Sequence, residues 1–147
     1  MRDIKYIAVH CTASSQSTTI RGLELEFKRK GWKNPGYHYV VSADGVVHQM
    51  LDEEKVSNGV KDWNSRLINV AYIGGIDATG KATDNRTEAQ KKGLRALLKL
   101  LRGRYPKAVI QGHRDFSPDL NGDGKITRNE WIKACPCFEA KEEYKDI

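Results

Sequence analysis

One stretch leaves this chain little choice of conformation. Between Thr87 and Pro106, the leucines Leu94, Leu97, Leu98 and Leu101 fall at i, i+3, i+4 and i+7, the spacing of one face of an α-helix. Thr87 and Gln90 have the form of a capping box, in which a hydroxyl and an amide three residues on satisfy each other's backbone N–H groups. Pro106 forbids continuation past Tyr105, because it has no N–H to donate and its ring clashes with the preceding turn. A helix with one apolar stripe must bury that stripe against a second layer, and the rest of the chain supplies strands for it. Ile4–Val9 and Ile68–Ile73 are apolar runs too short for helices and predict buried strands. Tyr37–Val41 and Val46–Met50 flank Ser42, Ala43, Asp44 and Gly45, the composition of a hairpin. A first helix carries Ile20, Leu23 and Phe27 behind Ser17, Thr18 and Thr19 as caps and stops at Gly31, while Ala108–Gln111 predicts a last short strand and Glu139–Tyr144 a terminal helix. Strand, helix, hairpin, strand, helix, strand is the order of an α/β domain: a mixed central β-sheet flanked by helices.

With 147 residues and no internal repeat or linker, residues 1–147 make one domain. At 39% apolar and 30% charged, the chain is a packed globule and not a disordered or low-complexity one. No run reaches the roughly 18 apolar residues of a membrane span, and Met1 leads directly into Arg2 and Asp3, so neither membrane insertion nor a signal peptide is expected. Twenty-five basic against 19 acidic residues give +6, which favours an anionic partner. The densest basic cluster, Lys28–Lys30, ends the first helix, where cations suit the dipole, and no basic block is interleaved with stacking aromatics; no nucleic acid is expected. Cys11, Cys135 and Cys137 are too few for a disulfide framework and read as metal ligands or free thiols, with a Cys11–Cys137 pair conceivable only in an oxidising compartment.

Three residues form a candidate metal set. His10 and His113 each stand at the end of a predicted strand, and Cys135 follows in a polar neighbourhood. Imidazole and thiolate together suit zinc (Zn2+), and a catalytic zinc takes three protein ligands and leaves a fourth position for water, whose acidity it raises. Spacing alone leaves rivals open: copper with Met50 as an axial ligand, or a cysteine nucleophile, Cys11 or Cys135, working with a histidine and Asp115. His38 alternates with Tyr37 and is expected to point away from the metal as a structural histidine, and His48 is expected to be an exposed hairpin residue. The polar stretch from Asp52 to Leu67 reads as a long binding loop, with Asn58, Trp63 and Asn64 as candidate substrate contacts.

A second motif stands apart from the first. Asp119, Asn121, Asp123, the Lys125 carbonyl, Thr127 and Glu130 fall at positions 1, 3, 5, 7, 9 and 12 of an EF-hand loop, with Gly124 at position 6. Hard oxygen ligands of this kind favour calcium (Ca2+). Pro118 and the preceding Gly-His-Arg-Asp make an entering helix improbable, so an EF-hand-like calcium loop with only an exiting helical turn is expected near the C-terminus.

Local wording narrows the alternatives. Val-His10-Cys-Thr-Ala, Gly36-Tyr37-His38-Tyr39, Gly74-Gly75-Ile-Asp, Gly112-His113-Arg-Asp115 and Lys133-Ala-Cys135-Pro136, taken in order, resemble the type 2 N-acetylmuramoyl-L-alanine amidases. This zinc amidase family includes small phage lysozymes of amidase type and shares its fold with peptidoglycan recognition proteins; the resemblance runs from about Ile4 to Phe138. It implies His10, His113 and Cys135 as zinc ligands, Tyr37 and Lys133 as catalytic residues, and peptidoglycan as the partner, cut between N-acetylmuramic acid and L-alanine. It also implies a chain made in the cytoplasm that acts on the cell wall after release or delivery, expected to be monomeric. A non-catalytic recognition module is the alternative from another class. Many family members carry a histidine where this chain has Asn58, and the calcium loop looks like an insertion between His113 and Cys135.

Overall fold

The computed structural model describes residues 2–131 and 133–147. Eight elements follow in order: β1 (Tyr6–Cys11), α1 (Ile20–Arg29), β2 (Tyr39–Val41), β3 (Val47–Gln49), β4 (Leu67–Tyr72), α2 (Glu88–Arg104), β5 (Val109–Gly112) and α3 (Ala140–Glu143). The strands form one sheet in the order β3-β2-β4-β1-β5, parallel throughout except for the β2–β3 hairpin. This is the mixed sheet that the element order predicts.

Alternation along the strands divides the two faces. Ile7, Val9 and Cys11 of β1 and Ile68, Val70 and Tyr72 of β4 pack against Leu94, Leu97, Leu98 and Leu101 of α2, joined by Phe138, Ala140 and Tyr144 from the C-terminal segment. Each fully buried leucine contributes on the order of 1.5–3 kcal/mol by leaving water. The opposite face is built from smaller pieces: Leu23 and Phe27 of α1 on Val40, Ala71 and Ile73, and Val60 on Ala8 and Leu67. His10 of β1 and Asn69 of β4 belong to this second face, which is covered by α1 and the segment between β3 and β4.

Both long helices begin as their sequences require. The Thr19 hydroxyl accepts from Gly22 N–H at 3.0 Å, and the Thr87–Gln90 capping box is complete. Gln90 also ties α2 to the sheet, since its Nε2 donates to the carbonyls of Val41 and Ile73. The hairpin strands are shorter than predicted, and β1 runs two residues further, so that His10 lies inside a strand and not after it. No helix among the described residues is long and apolar enough to cross a membrane.

Candidate active site

The sheet order explains how residues far apart in sequence meet. β1 and β5 are parallel neighbours, with Val9 opposite Gly112, so the residues that follow, His10 and His113, emerge side by side at the same sheet edge. Their Nδ1 atoms lie 3.2 Å apart. Cys135 is brought to them from the C-terminal segment: Arg114 N–H donates to the Cys135 carbonyl at 2.9 Å, and the Cys135 sulfur accepts from Cys11 N–H at 3.1 Å. Ligating atoms of His10, His113 and Cys135 all lie within 4.8 Å of one another. Two imidazole nitrogens and a sulfur converging from three parts of the chain are a donor set whose chemistry fits zinc.

The electrostatics keep both imidazoles neutral. Burial, reinforced by the charge of Lys133, lowers the His10 pKa to about 4. Burial, His10 and Lys133 together lower His113 to about 3. Neutral imidazole is the ligating form, so neither must lose a proton near neutral pH to receive a cation.

A groove of about 630 Å³ opens beside His113 and is lined by Trp32, Asn58, Trp63, Asn64, Phe116 and Lys133 among others. Lys133 is exposed on its wall. Tyr37 lies on the other side of His10, with ring centroids 5.3 Å apart. Its hydroxyl donates to the Cys11 carbonyl at 3.3 Å, and burial pushes the phenol pKa up, so Oη keeps its proton. Asn58, Trp63 and Asn64 share the groove, with distinct local tasks. Asn58 Nδ2 donates to the Asn34 carbonyl at 2.7 Å. Asn64 Oδ1 accepts from Gly59 and Val60 N–H and so folds the loop. Trp63 packs edge-on against Tyr6 and Phe116.

The rival chemistries fare differently. Met50 packs with the Leu23–Phe27 cluster of the core. The Asp115 carboxylate accepts from Gly112 N–H at 2.8 Å, capping the turn that presents His113. Cys11 is buried, and its hydrogen bond to Cys135 leads the influences that raise its thiol pKa to about 12, which makes it a poor nucleophile. Its sulfur is 4.0 Å from that of Cys137, and all three cysteines are free thiols.

His38 departs from expectation. The strand begins only at Tyr39, so alternation does not relate Tyr37 to His38, and His38 is buried on the same face as His10. It accepts from Asn69 N–H at 3.0 Å, and the side chain of Asn69 in turn meets His10. Asn69 and Ser57 are the site residues that motif reasoning missed. Their signal was an asparagine in the middle of an otherwise apolar strand, a group that must find partners when buried.

Residues 119–130 fold into a compact loop. Asp119 accepts from the N–H groups of Gly122 and Gly124, Asn121 from that of Asp123, and Asp123 from that of Lys125. Gly124 has φ +79°, a backbone conformation that glycine alone adopts without strain. Carboxylate oxygens of Asp119, Asp123 and Glu130 approach within 4.8 Å of one another. Arg128–Glu130 is a single 3-10 turn, and Glu130 accepts from Thr127 N–H and Oγ1 and from Leu120 and Asn121 N–H.

Comparisons with known proteins identify the family and the fold. Residues 1–136 match the N-acetylmuramoyl-L-alanine amidase family, and the chain belongs to it. The endolysin of Enterobacteria phage K11 is 37% identical over 133 residues, covering 89% of this chain and 79% of the relative. The endolysin of Escherichia phage T7 is 36% identical over 137 residues, covering 92% and 82%. Among solved structures, the Ph2119 endolysin from a Thermus scotoductus bacteriophage superposes with a TM-score of 0.74 at 26% identity, covering 99% of this chain and 85% of that one. Bumblebee PGRP-SA, at 13% identity and a TM-score of 0.72, shares the fold.

Proposed function

We propose that the protein is a zinc-dependent N-acetylmuramoyl-L-alanine amidase that hydrolyses the amide between N-acetylmuramic acid and the L-alanine of the peptidoglycan stem peptide. The observation that carries this reading is the convergence of His10, His113 and Cys135 at the head of a groove whose wall holds Lys133. When bound there, zinc would supply Lewis acidity, making water a usable nucleophile near neutral pH. The chain's own groups divide the remaining work. The Lys133 ammonium faces the groove, where a cation stabilises negative charge developing on the amide oxygen. Tyr37 keeps its proton on Oη beside His10; a water or substrate oxygen entering there would take over the hydrogen bond that Oη gives to the Cys11 carbonyl. Trp63, with the backbone around Asn58 and Gly59, gives the groove a flat apolar wall and polar edges suited to a sugar-peptide junction. Family membership and the endolysin relatives support cell-wall peptidoglycan as the substrate.

The test is mass spectrometry of purified peptidoglycan digested by zinc-loaded protein, with a chelated sample beside it. Stem peptides beginning at L-alanine, lost on chelation, are the expected result. Peptides that persist after chelation would move the chemistry to a cysteine, and binding without cleavage would make the protein a recognition module.

The loop 119–130 is proposed to take calcium, on the support of its complete ligand pattern and the approach of its three carboxylates. Calcium would neutralise Asp119, Asp123 and Glu130 and fix the path of the chain toward Lys133 and Cys135. Calorimetric titration with calcium should give one saturable site that Glu130→Gln abolishes. If calcium removal leaves zinc affinity and turnover unchanged, the loop does not order the active site.

A further inference from the structure

Behind His10 runs a line of polar groups that solvent does not reach. Asn69 lies in the middle of β4 and is fully buried, as are Ser57 and His38. The Oδ1 of Asn69 is 2.8 Å from His10 Nε2, and its Nδ2 is 2.7 Å from Ser57 Oγ. Ser57 Oγ is 3.1 Å from His38 Nδ1, and His38 Nε2 is 2.7 Å from the Lys55 carbonyl.

The direction of each proton along this line follows from two backbone groups at its far end. The Lys55 carbonyl can only accept, so His38 Nε2 carries a proton and donates it. Asn69 backbone N–H can only donate, and it points at His38 Nδ1 from 3.0 Å, so that nitrogen is a bare acceptor. The Ser57 hydroxyl faces the same nitrogen, which has no proton to give, so it donates as the second arm of a three-centre bond and turns a lone pair of its own toward Asn69. Only the amide nitrogen of Asn69 can satisfy that lone pair, which leaves the carbonyl oxygen facing His10. His10 Nε2 must then carry the proton, and its Nδ1 lone pair is directed at His113 and Cys135.

We propose that this buried chain locks His10 in the Nε2–H tautomer with Nδ1 presented to the metal, and that Asn69 is the positioning residue that enforces it. The metal half of this inference rests on the zinc reading above; the tautomer half does not. Without Asn69, a neutral imidazole is free to put its proton on Nδ1, where it would occupy the position of the cation, while Nε2 would lose its only buried partner in the line. Ser57 also belongs to the segment whose next residues, Asn58 and Gly59, line the groove. One carboxamide therefore anchors both a metal ligand and the substrate-facing loop.

Long-range 1H–15N correlation of the imidazole nitrogens, recorded on zinc-free protein at neutral pH, reads the tautomer directly. Wild type should show His10 protonated at Nε2 and bare at Nδ1. Asn69→Ala should populate the Nδ1–H form and lose about 10- to 100-fold in zinc affinity, measured by chelator competition. Asn69→Asp keeps an acceptor against Nε2 and should retain both the tautomer and most of the affinity. If Asn69→Ala does not fold, Ser57→Ala serves instead: it frees the carboxamide to turn and should reduce the Nε2–H fraction. An Nδ1–H wild type, or an Asn69→Ala or Ser57→Ala variant with unchanged tautomer and zinc affinity, overturns the proposal. A wild type with the Nε2–H form that takes up no zinc overturns the metal reading alone.

Discussion

Replacing Gly59 by alanine adds one methyl group at a place where the structure has no room for it. A Cβ there would lie 2.4 Å from both Cγ and Oδ1 of Asn69 and 2.7 Å from its Nδ2. Ordinary contact begins at about 3.4 Å, so the carboxamide or the loop must retreat by about 1 Å. Asn69 cannot move freely, because its two polar atoms are held at 2.8 Å by His10 and at 2.7 Å by Ser57. Overpacking of this kind costs about 1–3 kcal/mol, which for a domain of this size lowers Tm by about 3–10 °C. The same displacement stretches the bond to His10, so zinc affinity should fall by about 10-fold or more. Gly103→Ala is the control: it lies in α2 with nothing within 4 Å of the added carbon, and should be neutral or stabilise by up to about 1 kcal/mol. Thermal unfolding and chelator competition on the two variants decide the matter. If Gly59→Ala matches Gly103→Ala in both, the carboxamide is not wedged between loop and ligand, and the reasoning fails.

Three further outcomes are expected. Burial holds His10 and His38 at about 4 and His113 at about 3, below the usual 6.5, so the unfolded chain binds more protons than the folded one as pH falls below 6.5. Stability of the zinc-free protein is therefore complete above pH 6.5 and declines toward pH 4; a Tm that is level between pH 7.5 and 5 would refute this. Lys133→Ala should lower kcat about 10²- to 10³-fold with zinc affinity retained, measured by release of stem peptides, and an unchanged kcat removes Lys133 from the chemistry. Arg86 is buried between Asp84, Glu143 and the ring of Phe138, and its partners are about a third exposed; Arg86→Ala should cost about 2–3 kcal/mol in urea unfolding, and a loss under 0.5 kcal/mol would show that the cluster is not what holds the C-terminal segment.

The architecture was legible wherever one local rule acted alone. The α2 stripe, its capping box and the Pro106 stop needed only helical periodicity and backbone chemistry, and they fall where they were predicted. Hairpin ends were less legible because pairing at Tyr37 and Val46 depends on what the partner strand offers. The metal set was readable as residue types, but spacing of 103 and 22 positions along the chain says nothing of convergence. That convergence comes from β1 and β5 being parallel neighbours, a property of the whole sheet order. Asn69 went unremarked inside the Ile68–Ile73 run, although it is the one polar residue there. Sequence shows that a buried asparagine needs hydrogen bonds; only the packed face shows that they run to His10 and Ser57.

The three candidate ligands sit at unequal depths, and this has a kinetic consequence. His10 belongs to β1, paired on both sides within the sheet, whereas Cys135 belongs to an irregular segment fastened by a few hydrogen bonds. Segments of the second kind open locally at far lower free energy than central strands. A cation held by all three would therefore escape by peeling of the Cys135 segment, long before the sheet yields, and the opening rate of 133–137, read by amide hydrogen exchange, would be the ceiling on its rate of escape. In the same way, loading the site would slow exchange more in the segment around Cys135 than in β1, binding an irregular stretch of chain to a central strand.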